Sequence, residues 1–205
     1  MNPPDSIRSA LRKISSLSGA VEGAWIVGGS AGLMLRGIAL AEPPRDLDIY
    51  ADRADAAYLH DLLSGYATDS PAYSVTPIYE SVLSHYEIEG VSVELVGGFV
   101  VTAGDDRYTV KVREGLMPYA SMVNIRPAEL PAAVVPLAHE LIFNLLRSRM
   151  DRVEVVAAAM SEAPLQHGPA LRALIAASSL TTGTEQRLLR LAGLTEAKGD
   201  GDLWR

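Results

Sequence analysis

The feature that most constrains this chain is a succession of three short events. The apolar run Ala24-Trp25-Ile26-Val27 leads into Gly28-Gly29-Ser30, and sixteen residues beyond that serine comes Asp46-Leu47-Asp48. A four-residue apolar run bounded by glycine reads as a short buried strand. A glycine pair lets the backbone reverse sharply into a helix, because glycine enters conformations closed to other residues. That helix is predicted from Ser30 to about Arg36, where Gly37 stops it. After the Pro43-Pro44 break, Leu47-Asp48-Ile49-Tyr50 reads as a second strand. Strand, tight turn, helix and strand within thirty residues commit the chain to a mixed fold.

The rest of the chain fits a small sheet followed by helices. Ile7, Leu11, Ile14 and Leu17 stand at helical spacing over residues 5–18, with Asp5 or Ser6 as cap and Gly19 or Gly23 as stop. A further helix is predicted over about Ala54 to Leu63, and a loop over 66–77, punctuated by Pro71 and Pro77. Val82 to Ile88 and Val91 to Val96 read as strands joined by a tight Glu89-Gly90 turn, with Gly97-Gly98 as a bend at the strand end. Tyr108 to Val112 and Ala120 to Val123 add edge strands. From Leu137 the pattern is helical, over roughly 137–149, 151–160, 167–178 and 184–192, and residues 198–202 read as a tail. The expected fold class is α+β: a small mixed sheet flanked by helices over residues 1–130, and a C-terminal helical part over 131–205 packed on it.

Charge and composition narrow the function. The net charge is −7, with fifteen arginines and three lysines, so no long nucleic acid is expected, since tracking a phosphate backbone needs a basic face. Cysteine is absent, which excludes disulfides and thiolate metal sites. There is no charged start followed by an apolar core, and no uninterrupted apolar run of about 18 residues. No signal peptide or membrane partner is therefore expected, and a cytoplasmic location is. His60, His85, His139 and His167 are scattered without the spacing of a zinc site.

The acidic residues carry the chemistry. In a strand, residues two apart share a face, so Asp46, Asp48 and Tyr50 point one way while Leu47 and Ile49 point towards the core. Two adjacent carboxylates repel each other unless a cation lies between them. Magnesium, which takes oxygen ligands together with substrate phosphates, meets that need. Glu94 stands on a later strand whose other face is Val91, Val93 and Leu95. If the two strands pair, three acids converge and two magnesium ions could be held. Gly28, Gly29 and Ser30 would supply what acids cannot, namely backbone amides and a hydroxyl for phosphates. Arg36 and Arg45 flank the site and could meet phosphate or pair with Glu42.

Val27-Gly28-Gly29-Ser30-Ala31, Leu35-Arg36-Gly37 and Arg45-Asp46-Leu47-Asp48-Ile49 together resemble the opening of the polymerase-beta-type nucleotidyltransferase superfamily. Within it they are similar to the antibiotic and abortive-infection nucleotidyltransferase group. The resemblance covers about residues 20–100. It implies that Asp46 and Asp48 bind both magnesium ions, that Glu94 completes the metal site or acts as general base, and that Gly29 and Ser30 bind the triphosphate. The implied reaction is attack of an acceptor hydroxyl on the α-phosphate of a nucleoside triphosphate such as ATP. The acceptor is left open between a small molecule, an aminoglycoside-like amino sugar among them, and a macromolecule. Relatives carry threonine or serine and histidine where this chain has Pro44 and Arg36. They also often carry a lysine in the first C-terminal helix, where this chain offers Arg147 and Arg149. The alternative is a protein of the same fold with reduced catalysis, acting as a nucleotide-binding or toxin–antitoxin-type partner.

Overall fold

In the computed structural model, which describes residues 3–18, 24–125 and 130–194, the first apolar run is strand β1 (Trp25–Val27) and the acidic run is strand β2 (Asp46–Ala51). The two are antiparallel neighbours, with Val27 opposite Ile49, and helix α2 (Gly29–Leu35) connects them. Beyond β2, and parallel to it, runs β5 (Val91–Ala103). β4 (Tyr79–Ile88) joins β5 through Glu89 and Gly90, whose φ angles of 54° and 71° are those of a tight hairpin. β3 (Ala72–Val75) forms one edge, and β6 (Asp106–Thr109) pairs with the far end of β5. On the other side of β1, β8 (Leu130–Val134) runs parallel to it, and β7 (Ser121–Ile125) closes that edge. The eight-stranded mixed sheet has the order β3-β4-β5-β2-β1-β8-β7, with β6 beside β5.

Several features depart from the sequence expectations. The edge strand expected over Tyr108 to Val112 is β6 instead, which ends at Thr109, and a helical turn opens at Val112. β3 lies inside the predicted 66–77 loop, because a short, mostly exposed strand of four residues is held by its pairing with β4 rather than by its own pattern. β5 does not end at Gly97-Gly98. Gly97 packs where a side chain would collide with Ala56, and Gly98, at φ 60°, carries the strand onward to Ala103. A register shift between Glu80 and Val82 of β4 accompanies the passage. Last, β8 begins at Leu130, so the expected division after residue 130 falls within a strand of the sheet. The expected helix stop at Gly19 or Gly23 and the 198–202 tail lie outside the described residues.

The sheet has two covered faces. Helices α1 (Pro3–Ser18) and α3 (Arg53–Leu63) lie on one. Ile7, Leu11 and Ile14 from α1 and Leu59 and Leu63 from α3 join Leu47, Ile49, Val93 and Leu95 in a single apolar cluster. Burying each of these large side chains contributes about 1.5–3 kcal/mol.

The other face is covered by the C-terminal helices α4 (Leu137–Leu146), α5 (Met150–Glu162), α6 (Pro164–Ala176) and α7 (Thr182–Leu191). α6 starts earlier than predicted, since Pro164 suits the first helical position, which needs no N–H. Thr181 caps α7, accepting from the Thr184 N–H at 3.3 Å. All ten residues of α4 are buried, the mark of a central helix enclosed by neighbours. Three of them, His139, Glu140 and Asn144, are polar. Among the described residues no helix is long and apolar enough to cross a membrane.

Candidate active site

Strand alternation puts Leu47 and Ile49 of β2 into the α1–α3 core, and Asp46, Asp48 and Tyr50 on the opposite face. Tyr50 is buried at 4% exposure and stacks on Phe99 at 5.8 Å between ring centroids. The parallel register with β5 sets Asp46 beside Ser92 and Asp48 directly beside Glu94. The carboxylates therefore share one sheet face, as the alternation predicts. Asp48 is partly buried, and its pKa is pushed up to about 7. Burial is the largest cause; the negative charges of Asp46, Glu94 and Glu140 add to it, and Arg147 opposes them. Glu94 is raised as well, by burial first, against a lowering influence from His85.

The glycine turn is shaped by what lies under it. A methyl group on Gly28 would collide with the Tyr50 ring, and one on Gly29, at φ 60°, would run into the Asp48 carboxylate. The turn is stitched to β2 by the Gly28 N–H, which donates to the Asp48 carbonyl at 3.1 Å. Glycine here is thus the condition for bringing a backbone against the acidic strand. Asp46, Asp48, Glu94, Gly29 and Ser30 all line one cleft of about 340 Å3.

The sequence matches no protein-family model, and no curated protein matches it. Comparison with solved structures is informative. A Thermotoga maritima protein provisionally classed as a nucleotidyltransferase superposes with a TM-score of 0.61 at 23% identity, over 79% of this chain and 96% of that one. The fold is of the nucleotidyltransferase type. A looser likeness, with a TM-score of 0.47 and 9% identity over 80% of this chain and 95% of the other, is to ANT(2″)-Ia in complex with adenylyl-2″-tobramycin.

On this nucleotidyltransferase fold, the C-terminal part supplies residues whose roles the sequence left open. Glu140 of α4 is buried, and its Oε1 accepts from the Gly29 N–H at 2.8 Å. Its Oε2 accepts from Asn144 Nδ2 at 3.0 Å, and Asn144 Oδ1 accepts from Arg147 Nε at 3.2 Å and Nη2 at 3.0 Å. The Arg147 guanidinium lies 4.2 Å above the Phe143 ring centroid and lines the cleft. Burial raises the Glu140 pKa, and the Gly29 N–H is the first influence to oppose it. Residues 140, 144 and 147 stand at i, i+4 and i+7, one face of a helix. That spacing was the available signal.

Among the described residues, Arg147 is the one cation that lines the cleft. Arg45 instead pairs with Glu42 at 2.6 Å on the exposed surface, and Arg149 pairs with Asp151 at 3.0 Å. Tyr79, Phe99 and Phe143 form an aromatic wall, with Tyr79–Phe99 at 5.6 Å and Phe99–Phe143 at 5.4 Å. Ser74, Thr76 and Ser81 add hydroxyls from β3, β4 and the link between those strands. Glu94 has a neighbour the sequence did not suggest. His85 Nε2 lies 3.7 Å from its carboxylate, while His85 Nδ1 is 2.5 Å from Asp69 and the His85 N–H donates to Asp69 at 2.7 Å.

The donor set can be tested against magnesium. Among the described residues, no three His, Asp or Glu side chains converge closely enough to hold an ion by themselves. Hard carboxylate oxygens at one cleft, with the charges of Asp46 and Glu94 helping to push Asp48 towards its neutral form, do fit a cation that completes its shell with phosphate oxygens and water.

Proposed function

We propose that the chain is a magnesium-dependent nucleotidyltransferase that moves a nucleoside monophosphate from a nucleoside triphosphate, such as ATP, to a hydroxyl of a small acceptor. The observation that carries this reading is the in-register pair Asp48–Glu94 beside the Gly28-Gly29 turn, in a cleft that Arg147 lines. Asp46 and Asp48 would hold magnesium, with Glu94 beside them, and two ions are expected. The bound metal would offset phosphate charge and acidify the attacking hydroxyl.

The chain's own residues do the rest. Arg147 offers a guanidinium to the triphosphate, held in direction by Asn144. Ser30 adds a hydroxyl. The aromatic wall of Tyr79 and Phe99 offers a stacking face to a base. Glu94 accepts the acceptor's proton as the new oxygen–phosphorus bond forms at the α-phosphate. The bond to the β-phosphate breaks in line, and pyrophosphate leaves with that electron pair. The acidic balance of the chain suits a cationic acceptor such as an amino sugar.

The test is pyrophosphate release from each nucleoside triphosphate with magnesium and a panel of hydroxyl-bearing amines. Turnover that needs magnesium and disappears in Asp48→Asn supports the reading; turnover unchanged in that variant overturns it.

One observation favours the second reading, a nucleotide-binding protein with reduced catalysis. The Gly29 amide, expected to meet phosphate, is engaged by Glu140. Calorimetry separates the two, because this reading requires triphosphate to bind with no pyrophosphate released.

A further inference from the structure

At the other end of α2 lies a second hollow of about 490 Å3, which shares no lining residue with the catalytic cleft. Its polar groups come from four places: Arg36 at the end of α2, Ser121 of β7, Glu162 of α5 and His167 of α6. Leu137, Ile38 and Ala159 supply apolar wall. The volume lies in the range of small-ligand sites, about 300–1,000 Å3.

Arg36 is the unusual member. It is half-buried, and its Nη1 donates to the Ser121 hydroxyl. Among the described residues no carboxylate lies within ion-pair distance of it, whereas Arg45, Arg107, Arg113, Arg149 and Arg152 each have one. Burial draws its pKa below the ordinary value, and the charge of Glu140 is the opposing influence. His167 is lowered by its own burial and then by the charge of Arg36, so the two groups feel each other across the hollow. Holding a cation half out of water with no carboxylate in direct contact is unfavourable, and an anion in the hollow would relieve that cost.

The donors match one chemical class. A guanidinium that gives one N–H to Ser121 keeps four more, enough for a bidentate grip on phosphoryl oxygens. The Ser121 hydroxyl accepts from Arg36 and so has its own proton to donate. His167 offers a further ring N–H. Three donors from three elements suit the oxygens of a phosphoryl group, whose negative charge answers the Arg36 guanidinium. Glu162 is exposed and screened by water, and it offers an acceptor to a hydroxyl on the ligand's body.

We propose that the hollow formed by Arg36, Ser121 and His167 binds a small hydroxyl-bearing phosphomonoester, at a site separate from the catalytic cleft. The site stands whether or not the chain transfers nucleotides, and its test reads binding rather than turnover.

The experiment titrates the full chain, without metal, with inorganic phosphate and then ribose 5-phosphate, followed by calorimetry and backbone amide shifts. Saturable binding is expected, with shifts at Gly37, Ile38 and Ser121. Arg36→Gln should weaken ribose 5-phosphate by about tenfold or more, the loss of a charged hydrogen-bond pair. Arg147→Gln, which removes the cation of the other cleft, should leave that affinity unchanged. Should Arg36→Gln fail to fold, His167→Gln and Ser121→Ala provide the same reading, each with a smaller loss. Absence of saturation, shifts centred on Ser30 and Phe143, or wild-type affinity in the Arg36 and His167 variants would overturn the proposal.

Discussion

The two faces of the sheet are built from different materials. Under α1 and α3 the buried cluster is aliphatic apart from Tyr86, and the helices contribute Ile, Leu and Ala. Under α4 the core holds a buried glutamate, asparagine and histidine, with His139 drawn down to a pKa of about 3 by burial and bonded to the Tyr108 hydroxyl at 2.8 Å. The first face is redundant: each contact resembles the next, and loss of one lowers stability without changing shape. The second is apolar too, but it is threaded by a chain of single polar partners that ends in the cleft. Apolar packing holds the sheet together, and polar packing aims its site.

Substitutions on the two faces should separate those roles. The largest effect is expected at Asp48→Asn, which should lower transfer about a thousandfold, in the range for losing a central electrostatic group, as read by pyrophosphate release. The same variant should be more stable than the parent in metal-free buffer at pH 8. Its sign follows from the pKa: Asp48 moves from 3.8 in the unfolded chain up to about 7 in the fold. Its contribution is fully present below 3.8 and lost as pH rises through 7. Acidifying the metal-free protein from pH 8 to 6 should therefore raise its melting temperature. Asp48→Asn should flatten that slope and gain up to about 4 kcal/mol at pH 8. A slope unchanged in the variant would assign it to other groups.

Next in size is Leu11→Ala on the aliphatic face, expected to cost about 2–5 kcal/mol in urea unfolding while the surviving folded protein turns over as before. Lost activity in that variant would break the division between the faces. Glu140→Gln comes third. Its amide can still accept from Gly29, yet it presents an N–H₂ to Asn144 Nδ2, donor against donor. About 1–3 kcal/mol of stability should go, and transfer should fall with it as Arg147 loses its direction. Smallest is the exposed pair: Arg149→Gln should change stability by under about 0.5 kcal/mol and leave turnover alone, whereas Arg147→Gln should raise the KM for triphosphate.

The aliphatic face was the more legible one. Helical spacing at Ile7, Leu11 and Ile14, and alternation at Leu47, Ile49, Val93 and Leu95, depend only on period, and the structure buries all of them. Alternation also put Asp48 and Glu94 on one face, and the parallel register brings them side by side. What escaped was set by tertiary context. β8 is Leu-Pro-Ala-Ala-Val, a poor strand pattern, and its Pro131 stands where the strand pairs with β7 alone, a position proline tolerates. β3 is short and exposed and borrows its order from β4. Glu140, Asn144 and Arg147 were on the page as a helix face, yet a buried polar stripe and a solvated one share the same spacing. Only the neighbours decide between them.

The bond between the Gly29 amide and Glu140 joins residues 111 apart in the chain. As the protein is synthesised, the glycine turn and both aspartates emerge early, while the carboxylate that engages the turn and the arginine that faces the cleft emerge much later. Closing so wide a loop costs entropy that only the assembled fold repays. A nascent or truncated chain therefore carries the acidic strand without the groups that steer a triphosphate onto it. Competence of the site is in effect a report that synthesis has run to the helices.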